Sequence, residues 1–122
     1  MKIELYSSGV YKVLKISDYE IISHLEELRY LVDGYLAEKE KHIAISFSNT
    51  SYLYSGAVAA LVSCLKKLKD ADGDMCILEP NGEIYELLSQ MGISQIMPIY
   101  TSESELPDSS MLHERDNRSN AG

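Results

Sequence analysis

Cysteine occurs only twice in this chain, at Cys64 and Cys76, and neither stands at a metal-ligand spacing from another cysteine or a histidine. Both sit in apolar surroundings, which reads as two buried reduced thiols in a reducing compartment rather than as a disulfide framework or a zinc site. Long apolar runs are missing too. Nothing approaches the roughly 18 residues that a spanning helix needs, and no charged stretch followed by a hydrophobic block opens the sequence. Neither a membrane span nor a leader is expected, and the expected location is the cytoplasm. Basic excess is absent as well. The formal net charge is −8, and residues 101–122 carry five acids (Glu103, Glu105, Asp108, Glu114, Asp116) against two arginines, so −3 of it lies there and −5 in residues 1–100. A domain that binds phosphate backbones shows a basic footprint. The one cationic cluster, Lys66, Lys67 and Lys69, reads as a solvated helix face, so no nucleic-acid partner is expected.

Catalytic apparatus is equally hard to find. There is no G-x-G-x-x-G after a strand, no P-loop, no G-x-S-x-G and no H-E-x-x-H. His24, His42 and His113 are scattered over helix, strand edge and tail, and read as surface histidines. No metal and no cofactor is implied, and an enzyme is not expected.

What the chain does contain is a clean alternation of apolar patterns over 122 residues, long enough for one domain with its own core. Residues 2–6 and 10–16 read as two strands joined by Ser7-Ser8-Gly9. Ser23 followed by Glu26 is a capping box, and Leu25, Leu28, Val32, Tyr35 and Leu36 continue at helical spacing, so a first helix is predicted over about 23–39. His42 to Phe47 is a short apolar run suited to a central strand.

A loop then ends in Tyr54-Ser55-Gly56, and Val58, Leu61, Val62, Leu65 and Leu68 recur as one buried helical face. Ser55 falls at the expected N-cap of this helix, and Asp72-Gly73 marks its end. A hydroxyl at that position caps the helix. A phosphate on it would also suit the free N–H groups and the positive dipole end. Tyr52 and Tyr54 flank the loop, and their rings either pack around it or form a contact patch. Met75 to Leu78 is a further buried strand, and Pro80 opens a shorter helix through Ile84, Leu87, Leu88 and Met91 that Gly92 stops. Ile96 to Ile99 is predicted as a last edge strand, because Pro98 removes a ladder donor. From Thr101 onward the periodicity fades, and at most one short helical turn is expected before a polar tail.

Ser46 to Leu61 reads S-F-S-N-T-S-Y-L-Y-S-G-A-V-A-A-L, and aligns without a gap on the pattern D-L-S-G-V-T-F-I-D-S-S-G-L-G-A-L of the STAS domain of bacterial anti-sigma factor antagonists. The resemblance continues through Leu65, Leu68, Gly73, Pro80, Glu83, Leu87, Leu88 and Gly92, and spans about residues 3–100. It implies an α/β fold with a mixed sheet of about five strands, an antiparallel pair first and the helices on one side. A domain over 1–106 and a disordered tail over 107–122 follow. Residue by residue it implies that Ser55 is the phosphoacceptor and that Glu20 is the acidic residue near it, since Ser17-Asp18-Tyr19-Glu20 aligns with the family's G-E-L-D. Tyr54 replaces the aspartate before the acceptor, Gly56 the second serine, and Ala57 and Ala59 the two glycines that follow. A shifted frame would put Tyr54 at the acceptor position, but it moves the flanking apolar matches out of register.

The function implied is partner switching in transcription regulation. A serine kinase of the anti-sigma factor type would be bound through Glu20, Tyr52, Tyr54, Ser55 and Gly56 and released on phosphorylation, by a protein that is a monomer or weak dimer. A non-switching STAS scaffold in a signalling or transporter complex is the alternative. The polarity of the tail makes one expectation independent of function. Truncation before Pro107 should leave the thermal midpoint almost unchanged in a calorimetric scan; a fall of many degrees would show that the tail packs on the domain.

Overall fold

The computed structural model describes residues 2–17, 25–50, 53 and 55–107. Five strands form one sheet in chain order: β1 (Lys2–Ser8), β2 (Tyr11–Ser17), β3 (His42–Asn49), β4 (Asp74–Leu78) and β5 (Ile99–Tyr100). β1 and β2 are antiparallel, with Ser8 paired to Tyr11, and every later neighbour is parallel. The hairpin is tighter than the sequence suggests. Gly9 and Val10 alone make the turn, and Gly9 supplies the positive φ of 61° that a two-residue connection needs at its first position.

Parallel strands require crossovers, and three helices provide them: α1 (Leu25–Ala37), α2 (Ser55–Asp70) and α3 (Gly82–Gln90). Their apolar stripes share one cluster with a single face of the sheet. Leu28 and Val32 come from α1, Leu61, Leu65 and Leu68 from α2, and Ile84 and Leu88 from α3, packed with Leu14, Ile43, Ile45, Phe47, Met75 and Ile77. The mixed five-stranded sheet with its helices on one side is therefore the architecture found. Val58 and Leu65 are buried as predicted, but Val62 is 39% exposed. At 100° per residue it lies about 100° around from the middle of the stripe, whose other margin is filled by Ala60 and Cys64.

The opposite face carries a smaller cluster of Tyr11, Val13, Ala44, Cys76 and Leu78, against which Val10, Tyr100 and Leu106 are half-buried. Leu106 reaches it from the predicted short turn, which is a 3-10 turn at Glu103–Glu105 tied down by the Glu105 carboxylate. That carboxylate accepts from the Thr101 and Ser102 backbone N–H groups at 2.7 and 3.0 Å. Both cysteines are buried and free, and burial pushes the Cys64 thiol up to about 11. No helix among the described residues is long and apolar enough to cross a membrane.

Three boundaries differ from expectation for physical reasons. Ile96 to Met97 is not strand: Ile93–Gln95 forms a 3-10 turn after Gly92 (φ 77°), Ile96 is 46% exposed, and β5 begins beyond Pro98. α1 ends at Ala37, where Lys39 takes a left-handed φ of 65° and Glu40 N–H closes on Tyr35 O at 2.8 Å; Ser23 lies outside the described residues. At the end of α2 it is Asp72, not Gly73, that turns left-handed (φ 62°), while Gly73 N–H donates to Leu68 O at 2.7 Å.

Gly73 is needed instead for space, since a Cβ there would lie 2.2 Å from the Lys41 carbonyl oxygen. The same region is bonded by Asp74 N–H to that carbonyl at 2.9 Å. Gly73→Ala should therefore cost about 1–3 kcal/mol, the range for forcing atoms into a filled site. Gly82→Ala, in α3 with nothing within 4 Å of the new methyl, should be neutral or stabilising in the same urea titration.

Candidate functional site

In a parallel β–α–β unit each helix begins where the preceding strand ends, so the N-termini of α2 and α3 meet at the C-terminal edge of the sheet. The connection from β3 to α2 is held there by its own residues. Beyond Asn49 the chain turns back, with Thr50 N–H donating to Phe47 O at 3.0 Å. The Thr50 hydroxyl donates to the Ile16 carbonyl at 2.6 Å, and Thr50 is buried. This bond spans the place where the β2–β3 register shifts between Lys15 and Ser17, an irregularity that frees the Ile16 carbonyl beside the loop. Leu53 is driven into the main core at 5% exposure. Thr50 and Leu53 are thus each held in place, one by a hydroxyl and one by burial.

α3 is tied to the same loop. Asn81 caps it, its side-chain oxygen accepting from Ile84 N–H at 2.9 Å, while its amide donates to the Thr50 carbonyl at 2.9 Å. One asparagine therefore serves a helix N-terminus and the candidate loop together. Just before it Glu79 holds a left-handed φ of 54°, a conformation sparsely used by residues other than glycine and asparagine, with its N–H on Tyr100 O at 2.8 Å. Sequence reading passed over Thr50, Glu79 and Asn81. An asparagine three residues before Ile84 was the available signal, because Asn is among the leading N-cap residues.

Ser55 is the first residue of α2, one position inside the flanking cap that the sequence suggests and within the latitude of helix ends. Gly56 follows it, exposed in the first turn. That first turn contains no acidic residue, whereas Lys67 and Lys69 lie in the last, so the positive end of the dipole has no carboxylate of its own helix to offset it. Glu20, Tyr52 and Tyr54 lie outside the described residues. The strand leading toward Glu20 leaves the sheet at Ser17, paired with Asn49 at the same edge.

At the other end of the strands is a polar cluster that sequence reading missed. Asp74 accepts from the Tyr11 hydroxyl at 2.5 Å and pairs with His42 Nδ1, and the His42 ring meets that of Tyr11 edge-on at 5.8 Å. His42 is thus a half-buried partner of Asp74 rather than a free surface histidine. Burial first, and then the hydrogen bond to Asp74, raise the Tyr11 phenol. From His42 to Asn49 the strand rises about 23 Å at 3.3 Å per residue, so this cluster is remote from Ser55. It fastens the first residues of β2, β3 and β4 together. Among the described residues no group of three or more potential ligands could hold a metal ion.

With this geometry in view, the likeness to known proteins is specific. An anti-sigma F factor antagonist from Paenibacillus polymyxa is 29% identical over 63 residues, which is 52% of this chain and 54% of that protein, so the match spans about half of either. Among solved structures, that of the Thermotoga maritima protein TM1081 superposes with a TM-score of 0.77 at 19% identity over 86% of this chain and 85% of the other. The phosphorylated form of the Bacillus cell fate determinant SpoIIAA gives 0.65 at 16% identity over 84% and 95%. At such identities these two establish the fold. A family model for the STAS domain matches residues 3–106, from β1 to Leu106, and the chain belongs to the STAS domain family.

Proposed function

We propose that this protein is an anti-sigma factor antagonist of the cytoplasm that works by partner switching, without chemistry of its own. It binds an anti-sigma factor of the serine-kinase type through Glu20, Tyr52, Tyr54, Ser55 and Gly56, and Ser55 is the phosphoacceptor. The observation that carries the reading is the position of Ser55, which opens α2 after a connection in which Thr50 and Leu53 are held in place. A kinase gains from an acceptor whose backbone is held at a fixed place on the domain, and Thr50, Leu53 and the start of α2 supply fixed points on either side of it.

Phosphorylation adds about −1.5 to −2 charges at pH 7. The domain itself accepts them, because the N-terminus of α2 offers N–H groups, a positive dipole end and no acid in its first turn. The cost falls on the complex. A surface closed over Ser55 has to desolvate the dianion, and an unpaired buried charge costs several kcal/mol, enough to weaken binding by a few orders of magnitude.

A constitutive STAS scaffold is the second reading, and the substitutions in the loop favour it: Tyr54, Gly56, Ala57 and Ala59 stand where the family has Asp, Ser, Gly and Gly. Calorimetric titration with the cognate anti-sigma factor separates the two. Under partner switching Ser55→Ala binds like the unmodified protein, while Ser55→Asp keeps the fold and loses affinity by about a hundredfold, the equivalent of nearly 3 kcal/mol. Equal binding by both variants would leave the scaffold as the better account.

A further inference from the structure

Among the described residues the outer edge of β1 is left open. Among the described residues β1 pairs only with β2, it is seven residues long, contains no proline, and runs without a break in register from Lys2↔Ser17 to Ser8↔Tyr11. Proteins blunt such edges with proline, bulges or very short strands, as the two-residue β5 does at the other side of the same sheet. Here Glu4, Leu5, Tyr6 and Ser7 are all exposed, Leu5 at 49%.

We propose that β1 pairs antiparallel with β1 of a second copy of this chain, about a two-fold axis through Leu5, to make a continuous ten-stranded sheet in a symmetric dimer. The register follows from the hairpin. A two-residue turn closes on a hydrogen-bonded pair, here Ser8 and Tyr11, and such pairs alternate along an antiparallel ladder. Tyr6 and Glu4 therefore spend their N–H and C=O groups on β2, while Ile3, Leu5 and Ser7 aim theirs outward. An axis at Leu5 matches Leu5 with its copy, Ile3 with the copy's Ser7 and Ser7 with the copy's Ile3, so all three outward residues find a partner.

The neighbouring axes are worse. One through Glu4 sets two carboxylates directly opposite, which is unfavourable, and one through Tyr6 leaves Ile3 without a strand partner. Side chains suit the Leu5 axis as well. The two half-exposed leucines meet on the helix-bearing face, and Glu4 lies opposite the copy's Tyr6 on the other face. The Tyr6 phenol is kept protonated, and so a donor, by burial first and then by Glu103, Glu79 and Glu4.

Cross-linking tests the register directly. Directly opposed residues of a hydrogen-bonded pair have Cα atoms about 5.5 Å apart, inside the window for a disulfide. The native Cys64 and Cys76 are 1% and 0% exposed and do not compete. On mild oxidation the full chain carrying Leu5→Cys should become a covalent dimer on a non-reducing gel. Ser48→Cys, exposed but on β3 away from the edge, should not.

Sedimentation equilibrium of the unmodified chain should show a reversible dimer. Leu5→Pro removes a donor that the β1–β2 ladder does not use, and should raise the dissociation constant at least about tenfold through the two symmetric bonds lost. Leu5→Lys keeps every backbone donor and should do the same by opposing two charges, which guards against a misfolded proline variant. The proposal is overturned by an unmodified chain that stays monomeric up to about 1 mM, a free energy of only about −4.1 kcal/mol. Cross-linking of Leu5→Cys no faster than of Ser48→Cys, or a dimer unaffected by Leu5→Pro and Leu5→Lys, would overturn it too.

Discussion

Everything in this domain depends on α2 lying flat across the parallel strands β3 and β4. Ala57, Val58, Leu61, Cys64, Leu65 and Leu68 bury one face of that helix against Ile43, Ile45 and Ile77, and each valine or leucine removed from water contributes on the order of 1.5–3 kcal/mol. Because β3 and β4 are parallel, the helix between them has to run back the whole length of the sheet. Its first residue must then sit at the C-terminal edge of β3 and its last beside the N-terminal edge of β4. The same constraint that fills the core therefore puts Ser55, and with it the positive end of the helix, at the C-terminal edge of the sheet.

The two ends of the strands are built for different tasks. At the starts of β2, β3 and β4, Tyr11, His42 and Asp74 join one another, and Gly73 lets the end of α2 touch the Lys41 backbone. These are close, mutually satisfied contacts that fasten the sheet. At the far end, among the described residues, Thr50 bonds to Ile16, Asn81 bonds to Thr50 and Leu53 enters the core. They fix where the loop begins and where it enters α2.

Much of this architecture was legible in the residues because apolar spacing is imposed by burial. His42 to Phe47 and Met75 to Leu78 are apolar on both faces since both faces of a central strand are covered, and Leu61, Leu65 and Leu68 repeat at the spacing of one helix face. What spacing could not give is anything decided by a partner distant in sequence. His42 reads as a surface residue until Asp74, 32 positions away, is brought to the neighbouring strand. Gly73 reads as a helix stop, although the left-handed residue is Asp72 and the glycine is required by Lys41. Thr50 and Asn81 carry no motif, yet they join the loop to β2 and α3. Ser55 was legible in position and, through the family pattern, in proposed role; Glu20, Tyr52 and Tyr54 fall outside the described residues.

The claim at the centre of this account is that Ser55 receives a phosphoryl group. Tandem mass spectrometry of the full chain after incubation with the cognate kinase and ATP tests it most directly, with Ser55→Ala treated in parallel. The account predicts one phosphate, localised to Ser55 and absent from the variant. An unmodified chain, or a phosphate at another residue that persists in Ser55→Ala, would contradict it.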